Sequence, residues 1–179
     1  MVYAMTEDRY RTGLIVGRFC PPHLGHRFVI GWAAQRCDRL VVYVNTRDGE
    51  VVPGALRASW LQEMTPEATV VEVHHDLDTD FGDEELWARW IELFRSKWPL
   101  EPDEGGPHAV FSSDFYIDEL ARRLGAEPVV VDPDRSAVPI SATLIREYPA
   151  EYLSYLAPPV RAWVEEHWVQ TPDGPDASA

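Results

Sequence analysis

Apolar and polar positions along the chain fall into blocks whose period switches between that of a buried strand and that of an amphipathic helix. Leu14 to Val16 read as a buried strand, after which Val29, Ile30, Ala33, Ala34 and Cys37 recur at helical spacing. Leu40 to Val44 predicts a second strand, Leu56 to Met64 a helix, and Thr69 to Val73 a third strand. Glu84 to Trp98 predicts a long amphipathic helix with Leu86, Trp87, Trp90, Ile91, Phe94 and Trp98 on its apolar side, followed by a Pro/Gly-rich connection from Pro99 to Pro107. Ala109 to Phe111 predicts a fourth strand, Asp114 to Leu124 a helix stopped by Gly125, and Pro128 to Val131 a fifth strand. Pro149 and Pro158 then open two short helices, Glu151 to Leu156 and Pro159 to His167, expected to close over the sheet edge. Strand and helix alternate throughout, and the strands are apolar on both faces. That pattern predicts an α/β fold with a parallel, doubly wound sheet.

Length and composition add domain limits. With 179 residues, 45% of them hydrophobic, the chain can bury the core of one domain, expected over residues 13–170. Residues 1–12 form a polar lead-in, and the Pro/Asp/Ser/Gly composition of 171–179 predicts a disordered tail. No apolar run approaches the roughly 18 residues of a membrane span, and no signal-peptide pattern opens the chain, so a cytoplasmic protein is expected. Cys20 and Cys37 then read as reduced thiols. The formal net charge of −14, with Lys97 as the one lysine, argues against a nucleic-acid partner, which would need a basic stripe. A small nucleotide needs only a few local cations.

The candidate chemistry sits on the first strand-to-helix turn, the place where α/β folds bind ligands. The stretch GRFCPPHLGH, from Gly17 to His26, puts His23 and His26 three apart, on one face of the first helical turn. Free backbone N–H groups and the positive end of the helix dipole beside them attract phosphate. Gly17 is read as ending the strand in a conformation closed to other residues, and Gly25 as letting a nucleotide approach the helix start. Two imidazoles there can hydrogen-bond phosphate oxygens or donate protons near neutral pH. A second constellation is ISATLIR, from Ile140 to Arg146. Ser141 or Thr143 is a natural N-cap, and Arg146 one turn later can lay a bidentate guanidinium on phosphate oxygens. The acidic run HHDLDTD, with His74, His75, Asp76, Asp78 and Asp80, reads as a solvated loop at the carboxyl end of the third strand that lines the ligand pocket, with a metal site as the alternative.

These two motifs carry a resemblance. GRFCPPHLGH is similar to the GxFxPxHxGH pattern of the HIGH-motif nucleotidyltransferases, and ISATLIR to their ISxTxxR pattern, in the same order and about 120 residues apart. The segment from Val129 to Val164 further resembles the end of the adenylyltransferase domain in the bifunctional nicotinamide-mononucleotide adenylyltransferase/ribosylnicotinamide kinase family. No GxxxxGK[ST] loop is present, so the kinase half is not expected.

The resemblance implies a Rossmann-like sheet of five strands in the order 3-2-1-4-5, with short C-terminal helices. It also implies adenylyl transfer from ATP to nicotinamide mononucleotide, giving NAD and pyrophosphate. His23 and His26 would stabilise transition-state charge and Arg146, with Ser141 and Thr143, would hold the triphosphate, while Gly17, Arg18, Phe19 and Gly25 would face the nucleotide. For the acceptor it implies Arg57 on the phosphate, Asn45 beside it, and Trp87 as a stacking face for the pyridinium. Magnesium is expected to arrive on the triphosphate, with no metal held by the protein alone. A cytidylyltransferase using CTP on a small phosphate or phosphonate is the alternative. A non-catalytic nucleotide-sensing module ranks last, since no motif histidine or arginine is missing. A homo-oligomer is left open.

Overall fold

The computed structural model describes residues 9–170, so the tail expected over 171–179 and most of the polar lead-in lie outside the described residues. Five strands form one parallel sheet: β1 Tyr10–Gly17, β2 Cys37–Thr46, β3 Thr69–His74, β4 Ala109–Ser112 and β5 Glu127–Val130. Their order is β3-β2-β1-β4-β5, as the resemblance implies. Helices α1 Leu24–Ala34, α2 Gly54–Met64, α3 Glu84–Lys97 and α4 Ile117–Leu124 make the crossovers. A short α5, Ala142–Glu147, is followed by a 3-10 turn, Leu153–Tyr155, and by α6, Pro158–Val164, which runs into a π-helical turn at Glu165–Val169.

Side-chain alternation within the central strands explains the two helical layers. Ile15, Val42 and Val44 point to one face and meet Ile30 and Ala33 of α1 and Leu61 of α2. Their neighbours Leu14, Val41 and Tyr43 point to the other, against Trp87 and Phe94 of α3 and Ile117, Leu120 and Leu124 of α4. Both faces are covered, which is why these strands are apolar without interruption. The Tyr43 hydroxyl, deep in the second layer, donates to the Phe94 carbonyl at 2.7 Å, so the buried polar group is satisfied.

Several boundaries move from the sequence expectation. Strand β1 starts at Tyr10, inside the presumed lead-in, because Tyr10 pairs with Cys37 at the open end of β2. Cys37 therefore belongs to a strand and not to the first helix, and its thiol donates back to Ala33 O at 3.2 Å. Burial pushes that thiol up to about 12. Helix α4 begins three residues later than expected, at Ile117, and ends as expected on Gly125, whose φ of 71° is the left-handed cap that glycine adopts without cost. The C-terminal helices do not close over the sheet edge. Leu156, Val160, Val164 and Trp168 pack instead on Ile145 of α5, Trp60 of α2, Val52 and Cys20, a cluster with no strand residue in it. The C-terminal segment thus backs the loop that carries the first motif.

Candidate active site

The carboxyl ends of the strands open into a cavity of about 810 Å³, and both motifs line it. His23 is the N-cap of α1. Its Nδ1 accepts from the amides of Gly25 (3.0 Å) and His26 (3.3 Å), while Nδ1 of His26 accepts from the His23 amide at 3.2 Å. This is a capping box built from two histidines, with the rings stacked at 3.6 Å between centroids. The helix amides expected to be free for phosphate are therefore occupied by an imidazole. In exchange, the backbone fixes both rings as Nε2–H tautomers, since each Nδ1 is an acceptor. The Nε2 of His23 is buried and has no protein partner.

Charge is the second departure. Desolvation, and then the nearby Arg135, lower the pKa of His23 to about 3, and desolvation, His23 and Arg135 hold that of His26 well below the ordinary value. Neither ring is a cation or a proton reservoir near neutral pH. Both are neutral hydrogen-bond donors.

The glycines of the motif have other reasons than expected. Gly17 does not take a left-handed φ; a Cβ there would meet the Phe19 ring at 3.1 Å. Phe19 itself takes that conformation, at φ 52°, with its ring edge-on to His26 at 4.7 Å. Such a backbone costs on the order of 1 kcal/mol or more outside glycine, and it is maintained here by burial of the ring. At Gly25 a Cβ would sit 2.8 Å from His23 Cε1, so the missing side chain makes room for the capping imidazole.

The second motif is drawn onto the first. Ser141 caps α5 by accepting from the Leu144 amide at 3.2 Å. Arg146 donates through Nη1 to the Cys20 carbonyl at 2.6 Å and through Nη2 to Thr143 Oγ1 at 3.3 Å, and it stays at the cavity wall with Ser141 and Thr143. Cys20 is buried; its carbonyl, not its thiol, is what the neighbouring motif uses. Sequence reading missed Arg135 and Arg47, two further cations at the cavity wall. Arg135 sits at φ 52° in a turn that Asp132 holds by accepting from the Ser136 and Ala137 amides. The DPDR turn just ahead of the second motif was the signal that could have pointed to Arg135.

Arg57 is where the site departs most from expectation. Its guanidinium is completely buried and does not line the cavity. Nε donates to Val52 O (3.1 Å), Nη1 to Arg18 O (2.6 Å) and Asn45 O (3.3 Å), and Nη2 is ion-paired with Glu50. It ties the loop after β1 to the loop after β2 and presents no fork to an acceptor phosphate. Asn45 does line the cavity, with its Oδ1 buried and unpartnered. Trp87 lines it too, yet its indole N–H donates to Phe81 O at 3.1 Å and the Arg123 guanidinium lies 4.9 Å from its ring centre. Part of its surface is thereby committed to the fold. Of the acidic loop, His75, Thr79 and Asp80 reach the cavity wall, and His74 pairs with Asp48 at 3.1 Å instead. Among the described residues no three His, Cys, Asp or Glu side chains converge as a metal site.

No protein-family model matches the chain. Its sequence is 27% identical over 173 residues to the trifunctional NAD biosynthesis/regulator protein NadR of Escherichia coli, covering 83% of this chain and 39% of that protein. The similarity is to one part of NadR. It spans well under half the length of that relative, and the crystal structure of NadR protein in complex with NR superposes with a TM-score of 0.57 at 27% identity, over 81% of this chain and 42% of that one. A shorter match, 52% identical over 33 residues, links it to the nicotinamide-nucleotide adenylyltransferase of Aeropyrum pernix, covering 18% of this chain and 19% of that one. The bifunctional NMN adenylyltransferase/ADP ribose pyrophosphatase of Francisella tularensis, complexed with AMP and a Mn ion, shares the fold. That superposition has a TM-score of 0.59 at 15% identity, over 82% of this chain and 42% of that one.

Two predictions follow from the site's own energetics. Because the folded pKa of His23 lies below its unfolded value near 6.5, the unfolded chain binds the extra proton, so His23 contributes stability above pH 6.5 that is lost as pH falls toward 3. At pH 5 the loss is about 2 kcal/mol. Thermal unfolding between pH 7 and 5 should show a steeper fall for the natural protein than for His23→Asn, which keeps a capping side chain but does not titrate; equal slopes would refute the buried neutral histidine. For the buried strut, Arg57→Met should cost roughly 3–5 kcal/mol by removing the buried partner of Glu50 and leaving the carbonyls of Val52, Arg18 and Asn45 without their donor. A normal melting temperature combined with a raised acceptor KM would instead return Arg57 to the acceptor phosphate.

Proposed function

We propose that the protein transfers the adenylyl group of ATP to nicotinamide mononucleotide, forming NAD and releasing pyrophosphate. The observation that carries this reading is the Arg146 to Cys20 contact, which brings the two nucleotidyltransferase motifs to one cavity across most of the chain. The sequence relationship to NadR and to a nicotinamide-nucleotide adenylyltransferase supports the choice of ATP and a pyridine mononucleotide.

An acceptor phosphate oxygen attacks the α-phosphorus, the bond from that phosphorus to the bridging oxygen breaks, and the electron pair leaves with pyrophosphate. The attacking phosphate is already a nucleophile, so no base is required and no covalent enzyme intermediate forms. Catalysis consists of holding two anions in line and stabilising the charge that develops on the α-phosphate and the leaving group. The Nε2–H groups of His23 and His26 supply neutral donors whose direction is set in advance by the helix backbone. Arg146 and Arg135 supply charge for the triphosphate, with Ser141 and Thr143 at the same wall. Gly17, Arg18, Phe19 and Gly25 shape the nucleotide side. With Arg57 occupied elsewhere, Arg47 at the cavity wall takes the acceptor phosphate, while Asn45 and Trp87 face the rest of the acceptor. Magnesium would be carried by the triphosphate and would add to the charge stabilisation there. No helix among the described residues is long and apolar enough to cross a membrane.

His26→Ala should keep its fold by circular dichroism and lower pyrophosphate release by roughly 100- to 1,000-fold, the usual cost of one preorganised donor. Near-normal turnover in a folded variant would remove His26 from the reaction. Arg146→Lys keeps the charge but cannot hold the Cys20 carbonyl and a phosphate through one planar fork. It should raise the KM for ATP and lower kcat together; changes within about twofold, under roughly 0.5 kcal/mol, would refute the assignment. A panel of ATP and CTP against phosphorylated acceptors tests the reaction itself, and preference for CTP with any acceptor would overturn it.

A further inference from the structure

The acceptor side of the cavity contains two polar side chains with no part in the phosphoryl chemistry itself. Asn45, at the end of β2, has an Oδ1 that is buried without any partner, a costly arrangement unless a ligand donor satisfies it. His75 lies just past β3, on the adjacent strand, where its amide donates to Thr46 O at 3.0 Å. Its Nδ1 accepts from the Leu77 amide at 3.1 Å, so the remaining ring nitrogen is an Nε2–H donor. The ring packs edge-on against Trp90 at 4.4 Å, and Trp90 in turn donates to Asp78 O at 2.9 Å, which holds that stretch of the wall in place. Desolvation, and then Arg47, lower the pKa of His75 and hold it neutral. An unpartnered acceptor and a neutral donor on neighbouring strand ends, beside the Trp87 and Trp90 rings, have the polarity of a primary carboxamide in reverse.

We propose that Asn45 and His75 read the carboxamide of the acceptor's pyridinium ring, Asn45 Oδ1 accepting from the amide N–H and His75 Nε2–H donating to the amide oxygen. The inference rests on the adenylyl-transfer reading above and names what selects the acceptor within it. Nicotinic acid mononucleotide, which carries a ring carboxylate instead, sets an anion against an unpartnered oxygen and finds one neutral donor in place of a cation. The acidic side chains of Asp48 and Asp80 at the same wall add to its exclusion.

The test is a comparison of kcat/KM for the amide and the acid acceptors at saturating ATP, in the natural protein and in Asn45→Leu, His75→Ala, His75→Gln and His75→Lys. The natural protein should favour the amide by roughly 100-fold or more, as a site built around a specific hydrogen-bonding group does. Asn45→Leu and His75→Ala should each cut that ratio about tenfold, mostly through the acceptor KM, with the KM for ATP unchanged. His75→Gln, which can still donate, should retain most of it, and His75→Lys should raise use of the acid. Ratios within twofold of the natural protein in folded Asn45→Leu and His75→Ala would overturn this inference while leaving the adenylyl-transfer reading intact. A natural protein that adenylylates neither acceptor would overturn both, and one that prefers the acid would overturn the assignment of the pair. Should one substitution fail to fold, the other still decides.

Discussion

The site depends on the reciprocal cap between His23 and His26. Every helix must satisfy the amides of its first turn, and here the residues that do so are the same ones that line the cavity. One set of hydrogen bonds therefore closes α1, fixes both tautomers, stacks the two rings and buries them enough to keep them uncharged. The left-handed backbone at Phe19 and the absence of a Cβ at Gly17 and Gly25 are the steric conditions of this arrangement. A neutral imidazole aimed by backbone is well suited to a reaction in which charge appears on phosphate oxygens, because it needs no reorganisation as that charge develops.

Two internal guanidinium contacts then set the loops around that centre. Arg57 joins the loop after β1 to the loop after β2 from below, and Arg146 joins the loop after β1 to α5 from the cavity side. The C-terminal helices press on the same loop through Cys20, Val52 and Trp60. The first motif is thus held from three directions by elements far apart in the chain, and its geometry is a property of the whole fold.

The strong acidity of the chain and its proposed anionic ligands are compatible because charge is partitioned locally. Arg18, Arg47, Arg135 and Arg146 line the cavity, and of the carboxylates there Glu50 is paired with Arg57 and Arg18, Asp114 with Arg135, Asp48 with His74, and Asp132 with its own turn. Over the distances that matter to a bound phosphate, those nearest cations outweigh the screened net charge of the surface.

The sheet and its helices were legible because each strand is apolar on both faces and each helix on one, a periodicity that survives without knowledge of partners. The two motifs were legible because their residue types and spacing are rarely met together by chance. The capping role of Ser141 and the stop at Gly125 were legible for the same local reason. Roles that depend on what lies opposite were not. Arg57 looks like an available cation in sequence, and only the carbonyls of Arg18, Asn45 and Val52, brought around it by three separate segments, make it an internal strut. The histidines look titratable, and only burial beside Arg135 makes them neutral. Sequence by itself determined the layers and the residues gathered at their edge; the tertiary structure decided which of those residues keep a free hydrogen-bonding group for a ligand, since that depends on partners supplied from elsewhere in the chain.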